Sequence, residues 1–269
     1  MKVGWFSSGR GAGSQALLAS TCDAMERGRL PLEIAYVFCN RERGEHEPAD
    51  RFLDLAVSQG LPVVTLSSAT FRRKAGGEIA RAGQPLPVWR SDYDRAILRL
   101  LEPFETGIAI LAGYQLIAPE LCRHLDLVNL HPAAPGGPAG LWQEVIWQLI
   151  EGRAIESGVT IFLATPELDA GPAISFCSYG LRDELTEPLW RQLEHRDASV
   201  REPGEESPLF LEIRRRGAAR EAPLLLATLT ALAEGRIRIA DGRILDSTGS
   251  IANPIDLSRE VDKAIEPSL

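Results

Sequence analysis

An amide and an imidazole stand two residues apart in the stretch VNLHPAAPGGPAG, residues 128–140, where an apolar run ends. The amide of Asn129 can donate to an oxyanion as it develops, and the imidazole of His131 can act as an acid or a base near neutral pH. A lone histidine beside a strand end is more often structural, but the neighbouring amide and the Pro/Gly loop favour catalysis here. We therefore predict that Asn129 and His131 act together on a reacting group.

A carboxylate follows in the stretch TPELDAGPAI, residues 165–174. Asp169 lies in a turn rich in Gly and Pro, where an aspartate often only bonds its own backbone. If this turn reaches His131, the carboxylate would instead stabilise the protonated imidazole and help to organise a path for protons.

The stretch SSGRGAGSQ, residues 7–15, places Gly9, Gly11 and Gly13 between a predicted strand and a predicted helix. Such a turn lets backbone N–H groups point at an anion, which predicts phosphate binding; a turn that only packs the helix is the alternative. The spacing is not the G-x-G-x-x-G of dinucleotide-binding proteins, and the second strand ends in CNR, residues 39–41, rather than in an acidic residue. An NAD enzyme is therefore disfavoured, and Arg41 and Arg43 leave an NADP enzyme as a weak alternative.

Strand-like and helix-like segments alternate through the first part of the chain. The strand-like segments are KVGWFSS, LEIAYVFCN, LPVVTLS, TGIAILAGY, DLVNLH and GVTIFLAT. Apolar strands that alternate with helices predict an α/β fold with a mostly parallel sheet and helices on both faces. Ligands bind beyond the carboxyl ends of the strands in such sheets. The glycine-rich turn, residues 113–114 and residues 129–131 should therefore surround one crevice.

We predict three parts along the chain. Residues 1–180 form the catalytic domain, residues 181–208 are a highly charged insertion, and residues 209–269 add a long helix and a β-hairpin that pack on the same domain. The hairpin is predicted from the alternation in RIRIADGRILDS and from its Asp-Gly turn.

The composition narrows the class of protein. Of the 269 residues, 45% are hydrophobic and 25% are charged, which is ordinary for a globular protein. The net charge of −8 argues against nucleic acid as a partner, and no apolar run is long enough to span a membrane. The N-terminus lacks the pattern of a signal peptide. The four cysteines lie far apart in apolar segments, which predicts free, buried thiols rather than disulfides or metal ligands. We expect a cytoplasmic monomer or homodimer with no metal, nucleic acid or membrane as partner.

Two motifs occur in a set order: NLHP at residues 129–132 and, about forty residues later, LDAG at residues 168–171. Together with the glycine-rich turn they resemble the folate-dependent formyltransferase family, and within it the enzymes that formylate glycinamide ribonucleotide. The resemblance covers residues 1–180 and resumes weakly in the C-terminal helix. It implies a Rossmann-like formyltransferase fold and transfer of the formyl group of 10-formyltetrahydrofolate, a co-substrate, to a primary amine.

The resemblance also implies roles for the matched residues. The catalytic residues would be Asn129, His131 and Asp169. The residues that hold the phosphate of the amine substrate would be Gly9, Gly11, Ala12, Gly13 and Arg90. The folate pocket would be lined by Tyr114, Gln115, Leu116, Ile117, Glu167 and Leu168.

Several positions depart from the family pattern. The loop at residues 133–140 has neither the hydroxyl nor the lysine that is usual there, and Leu116 stands where an arginine is often found. The acidic residue that the family offers from its C-terminal helix would fall at Ala218, with Glu221 as a shifted candidate. Trp142 either packs an amphipathic helix or contacts the acceptor. These departures leave the predicted catalytic residues unchanged, but they weaken the prediction of a particular acceptor.

Glycinamide ribonucleotide is the favoured acceptor, because the glycine-rich turn and Arg90 both suit a phosphate. A formyltransferase for another amine, such as an amino sugar nucleotide, would keep the catalytic residues and change the pocket. A formyltetrahydrofolate hydrolase would use water as the acceptor. Its family members carry an additional N-terminal domain, whereas this sequence opens on its first predicted strand, which disfavours that alternative. An NAD(P)-binding Rossmann protein is the alternative from a different class.

Overall fold

The structure, a computed structural model, describes residues 1–79, 84–116, 118–166, 171–192 and 204–266. Its strands are β1 (Lys2–Ser7), β2 (Glu33–Cys39), β3 (Val63–Thr65), β4 (Ile108–Leu111), β5 (Asp126–His131), β6 (Glu156–Leu163), β7 (Ala173–Gly180), β8 (Ile237–Ala240), β9 (Arg243–Asp246) and β10 (Ile255–Asp256). Its helices are α1 (Ala12–Glu26), α2 (Glu47–Ser58), α3 (Ser68–Lys74), α4 (Trp89–Leu101), α5 (Leu121–His124), α6 (Trp142–Glu151), α7 (Glu187–Arg191), α8 (Pro208–Ala233) and α9 (Ser258–Ile265).

Eight strands form one sheet in the order β10-β7-β6-β5-β4-β1-β2-β3. All neighbours pair in parallel except that β6 runs antiparallel to both β5 and β7. The prediction of a mostly parallel α/β sheet is therefore confirmed. Parallel strands need crossover connections, and the helices that supply them cover both faces of the sheet.

The two faces of the sheet bury separate apolar clusters. Alternate residues of β1 show this: Trp5 belongs to the cluster that includes α1, α2, α6 and α8, whereas Phe6 belongs to the cluster that includes α4 and α5. Because side chains alternate across a strand, β1, β2, β4 and β5 contribute to both clusters. The sheet is thus held rigidly, and its carboxyl-end loops start from fixed positions.

The carboxyl ends of β1 and β4 are tied together by the loops that follow them. The backbone N–H of Ser8 donates to the carbonyl oxygen of Gly113 at 3.1 Å, and the Ser8 hydroxyl accepts from the N–H of Gln115 at 3.1 Å. An alanine Cβ at Gly113 would lie 2.6 Å from the Ser14 hydroxyl oxygen, and the φ of Gly113 is +72°. Glycine is therefore required where the two loops approach each other.

The C-terminal segment packs against the same sheet. Helix α8 contacts α1, α6, β6 and β7, and β10 adds a strand beside β7. The predicted long helix and the hairpin of β8 and β9 are both present.

Two local features differ from what the sequence predicts. The stretch RSDYDRAI, residues 90–97, predicts a helix capped by Ser91, but α4 begins at Trp89, because the N–H of Arg90 already donates to the carbonyl oxygen of Pro87 in a tight turn. The strand β7 was not predicted, because its two serines, Ser175 and Ser178, interrupt its apolar pattern. Ser175 of this strand is fully buried because its hydroxyl is hydrogen-bonded to that of Thr228 on α8.

The predicted charged insertion is described only in part, since residues 193–203 lie outside the described residues. In its first part Trp190 is buried, and its indole N–H donates to the carbonyl oxygen of Leu181 at 2.8 Å. In the described part of the chain, no helix is long and apolar enough to cross a membrane.

Candidate active site

A cavity of about 790 Å³ opens beyond the carboxyl ends of β1, β4 and β5. Most of the residues that the sequence predicted for the site line it. These are Gly11, Ala12, Gly13, Tyr114, Gln115, Leu116, Asn129 and His131. The structure thus brings the glycine-rich turn, the end of β4 and the NLHP motif around one space.

Strand β5 places Asn129 and His131 on one face. Asn129 pairs with Leu111 of β4 and with Phe162 of β6, and His131 pairs with Thr160 of β6. Residues i and i+2 of a strand point to the same side, about 7 Å apart. An amide donor and an imidazole therefore face the cavity together from a strand that is held on both edges.

The imidazole of His131 is oriented by the loop that follows it. Its Nε2–H donates to the carbonyl oxygen of Pro138 at 2.8 Å. A carbonyl oxygen can only accept, so Nε2 carries a proton and Nδ1 is the nitrogen not committed to this bond. The ring also lies edge-on to Phe162, with the ring centroids 6.4 Å apart.

The small side chains of residues 133–140 have a packing reason. Ala133 is fully buried, and its carbonyl oxygen accepts from the Thr160 hydroxyl at 2.7 Å. Ala134 lies so close to β6 that a Cβ at Gly158 would come within 2.9 Å of its Cα. The loop that lacks side-chain chemistry therefore acts through its main chain, which packs on β6 and holds His131.

The N-terminus of α1 faces the cavity. Gly11 is its N-cap residue, and no side chain in the described part of the chain caps it. A Cβ at Gly11 or Gly13 would meet no atom within 4 Å, so this turn is open to a ligand. Gly9 does not line the cavity. Its φ is +60°, and a Cβ there would lie 2.9 Å from the Cα of Ala49, so glycine is needed for the approach of α2.

Arg10 also lines the cavity, and the sequence analysis missed it. Its guanidinium donates to the side-chain oxygen of Gln115 at 2.8 Å, across the opening between the glycine-rich turn and the loop after β4. The signal was present, because Arg10 stands inside the glycine-rich turn at a strand end. We had considered only the backbone of that turn.

Helix α8 supplies the wall near the start of α6. Arg214 and Glu221 form an ion pair at 2.6 Å, and the Arg214 guanidinium lies 4.7 Å from the ring centroid of Trp142. All three side chains line the cavity. The sequence offered Glu221 as a shifted candidate for the acidic position and Trp142 as a residue that packs the helix or contacts the acceptor. Arg214 was missed, because no motif surrounds it.

The loop after β4 packs the side chain of Tyr114 among aromatic residues of the core. Tyr114 is 7% exposed, and its ring centroid lies 5.5 Å from that of Phe6 and 6.3 Å from that of Phe38. Burial raises the pKa of its hydroxyl above the usual value. Tyr114 therefore anchors the loop, while Gln115 and Leu116 present its surface to the cavity.

Arg90, predicted to bind a phosphate, does not line the cavity. Its side chain is 2% exposed and lies beside the rings of Trp89 and Tyr93. Four further predicted residues, Ile117, Glu167, Leu168 and Asp169, lie outside the described residues. Their roles, and that of Arg90, stay predictions.

Gly171 is the last residue of the LDAG motif, and we expect that no side chain can be accommodated there. A Cβ there would lie 1.6 Å from the carbonyl oxygen of Leu163. Gly171→Ala should therefore displace the turn, lower the free energy of unfolding by about 2 kcal/mol and reduce turnover through Asp169. Thermal unfolding and initial rates measure both effects. Gly180→Ala is the control, because a Cβ there would meet no atom within 4 Å. Equal behaviour of the two variants would contradict the expectation.

Comparison with known proteins points in the same direction as the geometry. Residues 1–180 match the model of the formyl transferase family. The phosphoribosylglycinamide formyltransferase of Escherichia coli (strain K12) is 26% identical over 171 residues, which are 62% of this chain and 67% of that protein.

Two kinds of solved structure share the fold. The phosphoribosylglycinamide formyltransferase of Coxiella burnetii has a TM-score of 0.66 at 17% identity, covering 95% of this chain and 99% of that chain. A formyltetrahydrofolate deformylase from Pseudomonas syringae pv. tomato has a TM-score of 0.61 at 18% identity, covering 91% of this chain and 65% of that chain. These likenesses are evidence for the fold and leave the acceptor open.

Proposed function

We propose that this chain, which belongs to the formyl transferase family, transfers the formyl group of 10-formyltetrahydrofolate to the primary amine of glycinamide ribonucleotide. The observation that carries the proposal is the placement of Asn129 and His131 on one face of β5, in a cavity that also contains an uncapped helix N-terminus. Such a cavity offers an oxyanion donor, a proton carrier and an anion site within reach of one acceptor.

The chemistry proceeds through a tetrahedral intermediate. The amine nitrogen attacks the formyl carbon, and the carbonyl oxygen takes the electron pair. The amide of Asn129 and the protonated imidazole of His131 donate to this oxyanion. The intermediate then collapses by breaking the bond to the folate nitrogen, which accepts the proton that the attacking amine loses. Asp169 supports the charged imidazole and the proton transfer.

The wall near the loop after β4 suits the folate. Leu111, Leu116, Ala118 and Phe162 give this part of the cavity apolar surface, and Gln115 adds an amide. Ligand pockets commonly combine an apolar lining with a few polar groups that fix orientation. A flat heterocycle with hydrogen-bonding edges fits that description.

The phosphate of the acceptor is assigned to the N-terminus of α1 and to Arg10. Backbone N–H groups at a helix N-terminus favour an anion, and a guanidinium beside them adds a full positive charge. Arg90 would take part only if its side chain became exposed. Arg214 and Glu221, which line the cavity from α8, would meet the rest of the acceptor.

Arg10→Ala is expected to raise the KM for glycinamide ribonucleotide about tenfold, because a charge-assisted hydrogen bond to the phosphate is lost. The kcat should change little, since the phosphate is distant from the reacting atoms. Steady-state kinetics at saturating folate measure both constants. Arg43→Ala is the control, because Arg43 is exposed and pairs with Asp54 at 2.6 Å. An Arg10 variant with the KM of the control would remove Arg10 from the phosphate site.

The function itself is tested by following loss of the formyl group from 10-formyltetrahydrofolate with different acceptors. The proposal predicts rapid loss with glycinamide ribonucleotide and very slow loss without an amine. Rapid release of formate without any amine would indicate a hydrolase. Turnover with an amino sugar nucleotide alone would keep the chemistry and change the acceptor. Tight binding of NADPH with no turnover would overturn the assignment to formyl transfer.

A further inference from the structure

Residues 112–116 and 118–120 lie between β4 and α5, and this segment contributes to the lining of the part of the cavity that we assign to the folate. Its first half is held by β1: the N–H of Ala112 donates to the carbonyl oxygen of Phe6 at 2.9 Å, and the N–H of Gln115 donates to the Ser8 hydroxyl. Gln115 and Leu116 reach the cavity from this segment. Its second half needs an anchor of its own, because a loop fixed at one end can still move.

That anchor is the carboxylate of Asp94, on α4. Its Oδ2 accepts from the backbone N–H of Glu120 at 3.2 Å, whereas its Oδ1 is buried with no hydrogen-bond partner among the described residues. Asp94 is fully buried. It lies behind the segment and does not line the cavity, so it can act on a folate only through the segment.

Asp94 is shielded from water and lies near one buried cation. Arg90 lies one turn earlier on the same helix, 2% exposed, with its guanidinium 5.1 Å from the ring centroid of Trp89 and 5.7 Å from that of Tyr93. Burial raises the pKa of Asp94 to about 6, although the positive charge of Arg90 and the hydrogen bond from the Glu120 N–H act to lower it.

This shift has a definite sign for stability. The pKa of Asp94 in the folded protein lies above its value of 3.8 in an unfolded chain, so the folded state favours the protonated form. The stability that protonation contributes is present below pH 3.8 and is lost as the pH rises through about 6. At neutral pH the charged carboxylate therefore lowers global stability. A group that costs stability while it holds a binding segment is typical of a functional site.

We propose that Asp94 is a positioning residue for folate binding, which fixes the end of this segment, residues 118–120, through the N–H group of Glu120. The inference rests on the proposed function, since it assigns the folate to this part of the cavity. The proposal also assigns a role to Arg90, because the buried positive charge of this residue helps to keep the Asp94 carboxylate ionised.

Asp94→Asn tests the inference against Asp92→Asn, a control on the same helix whose exposed carboxylate pairs with Arg95 at 2.7 Å. An amide keeps the shape of Asp94 but loses the charge, and its NH₂ group opposes the backbone donor. We expect the Kd of tetrahydrofolate, measured by calorimetry at pH 7.5, to rise about tenfold in Asp94→Asn only. The midpoint of thermal unfolding at that pH should stay equal or rise.

The pH dependence of folate affinity distinguishes this role from a merely structural one. Folate affinity of the unmodified protein should fall as the pH drops below about 6, where Asp94 becomes protonated, and the profile of Asp94→Asn should lack this step. The other titratable or charged groups that interact with Asp94 or its neighbours are Arg90, Tyr93, Tyr114, Glu120 and Cys39. Burial raises the pKa of both tyrosines and of Cys39, so these three groups stay neutral across the range.

The outcomes separate the two claims. If the unmodified protein does not bind tetrahydrofolate, the proposed function fails. If it binds and Asp94→Asn binds equally well, only the role of Asp94 fails. A variant that unfolds at neutral pH, or that loses folate and inorganic phosphate affinity equally, would also overturn that role, because the carboxylate would then support the whole fold.

Discussion

Replacing His131 with alanine is expected to lower kcat/KM for formyl transfer about a thousandfold. In the proposed mechanism, the substitution removes both a donor to the oxyanion and the group that carries a proton between the amine and the folate. The loss should fall on kcat, because the imidazole acts mainly after the substrates are bound. Single-turnover rates at saturating folate and acceptor measure it directly.

His124→Ala is the matched control for this variant. His124 is exposed at the end of α5, does not line the cavity, and should leave the rate within about twofold, as surface substitutions usually do. An His131→Ala protein that keeps more than a tenth of the rate would remove His131 from the chemistry. Partial recovery of that variant by added imidazole would strengthen its assignment, because the vacated space faces the cavity.

Asn129→Ala is expected to lower kcat about a hundredfold or more, with little change in either KM. Loss of a single oxyanion donor has this size in acyl transfer, because the donor bonds more strongly to the transition state than to the bound formyl group. Strand β5 should keep its place, since the backbone of Asn129 is paired on both edges through Leu111 and Phe162.

Asn253→Ala, at an exposed position outside the cavity, controls for loss of an amide as such. If Asn129→Ala raised the KM for folate and left kcat unchanged, the amide would be a binding group rather than an oxyanion donor. That result would also shift the charge stabilisation onto His131 alone.

The fold was predictable because its signals are local. Continuous apolar strands, helices that end at glycine and the turn at Asp241-Gly242 each occupy a short stretch of chain. The strand-end rule then placed the glycine-rich turn near Asn129 and His131 without any further information. The antiparallel direction of β6 and the existence of β7 and β10 depended on pairing that the sequence does not express locally.

The walls of the cavity were harder to predict, because they depend on tertiary packing. Arg214 and Glu221 face the cavity because α8 packs against α1 and α6. Their spacing of two helical turns is also compatible with an exposed ion pair. Nothing near them in the sequence distinguishes the two situations.

Arg90 illustrates the opposite difficulty. Its place near the start of a predicted helix fitted a phosphate ligand, but a tight turn at Pro87 and the rings of Trp89 and Tyr93 set its direction. A motif fixes which residue occurs, whereas packing decides where its side chain lies. The same holds for residues 133–140, whose small side chains serve main-chain contacts with β6 and His131.

The most direct measurement follows the fate of a labelled formyl carbon of 10-formyltetrahydrofolate in a single turnover with glycinamide ribonucleotide. Transfer predicts that the label appears in the acceptor, with little in formate, and that His131→Ala removes this product. A label that appears in formate at the same rate with and without the amine would contradict transfer to glycinamide ribonucleotide.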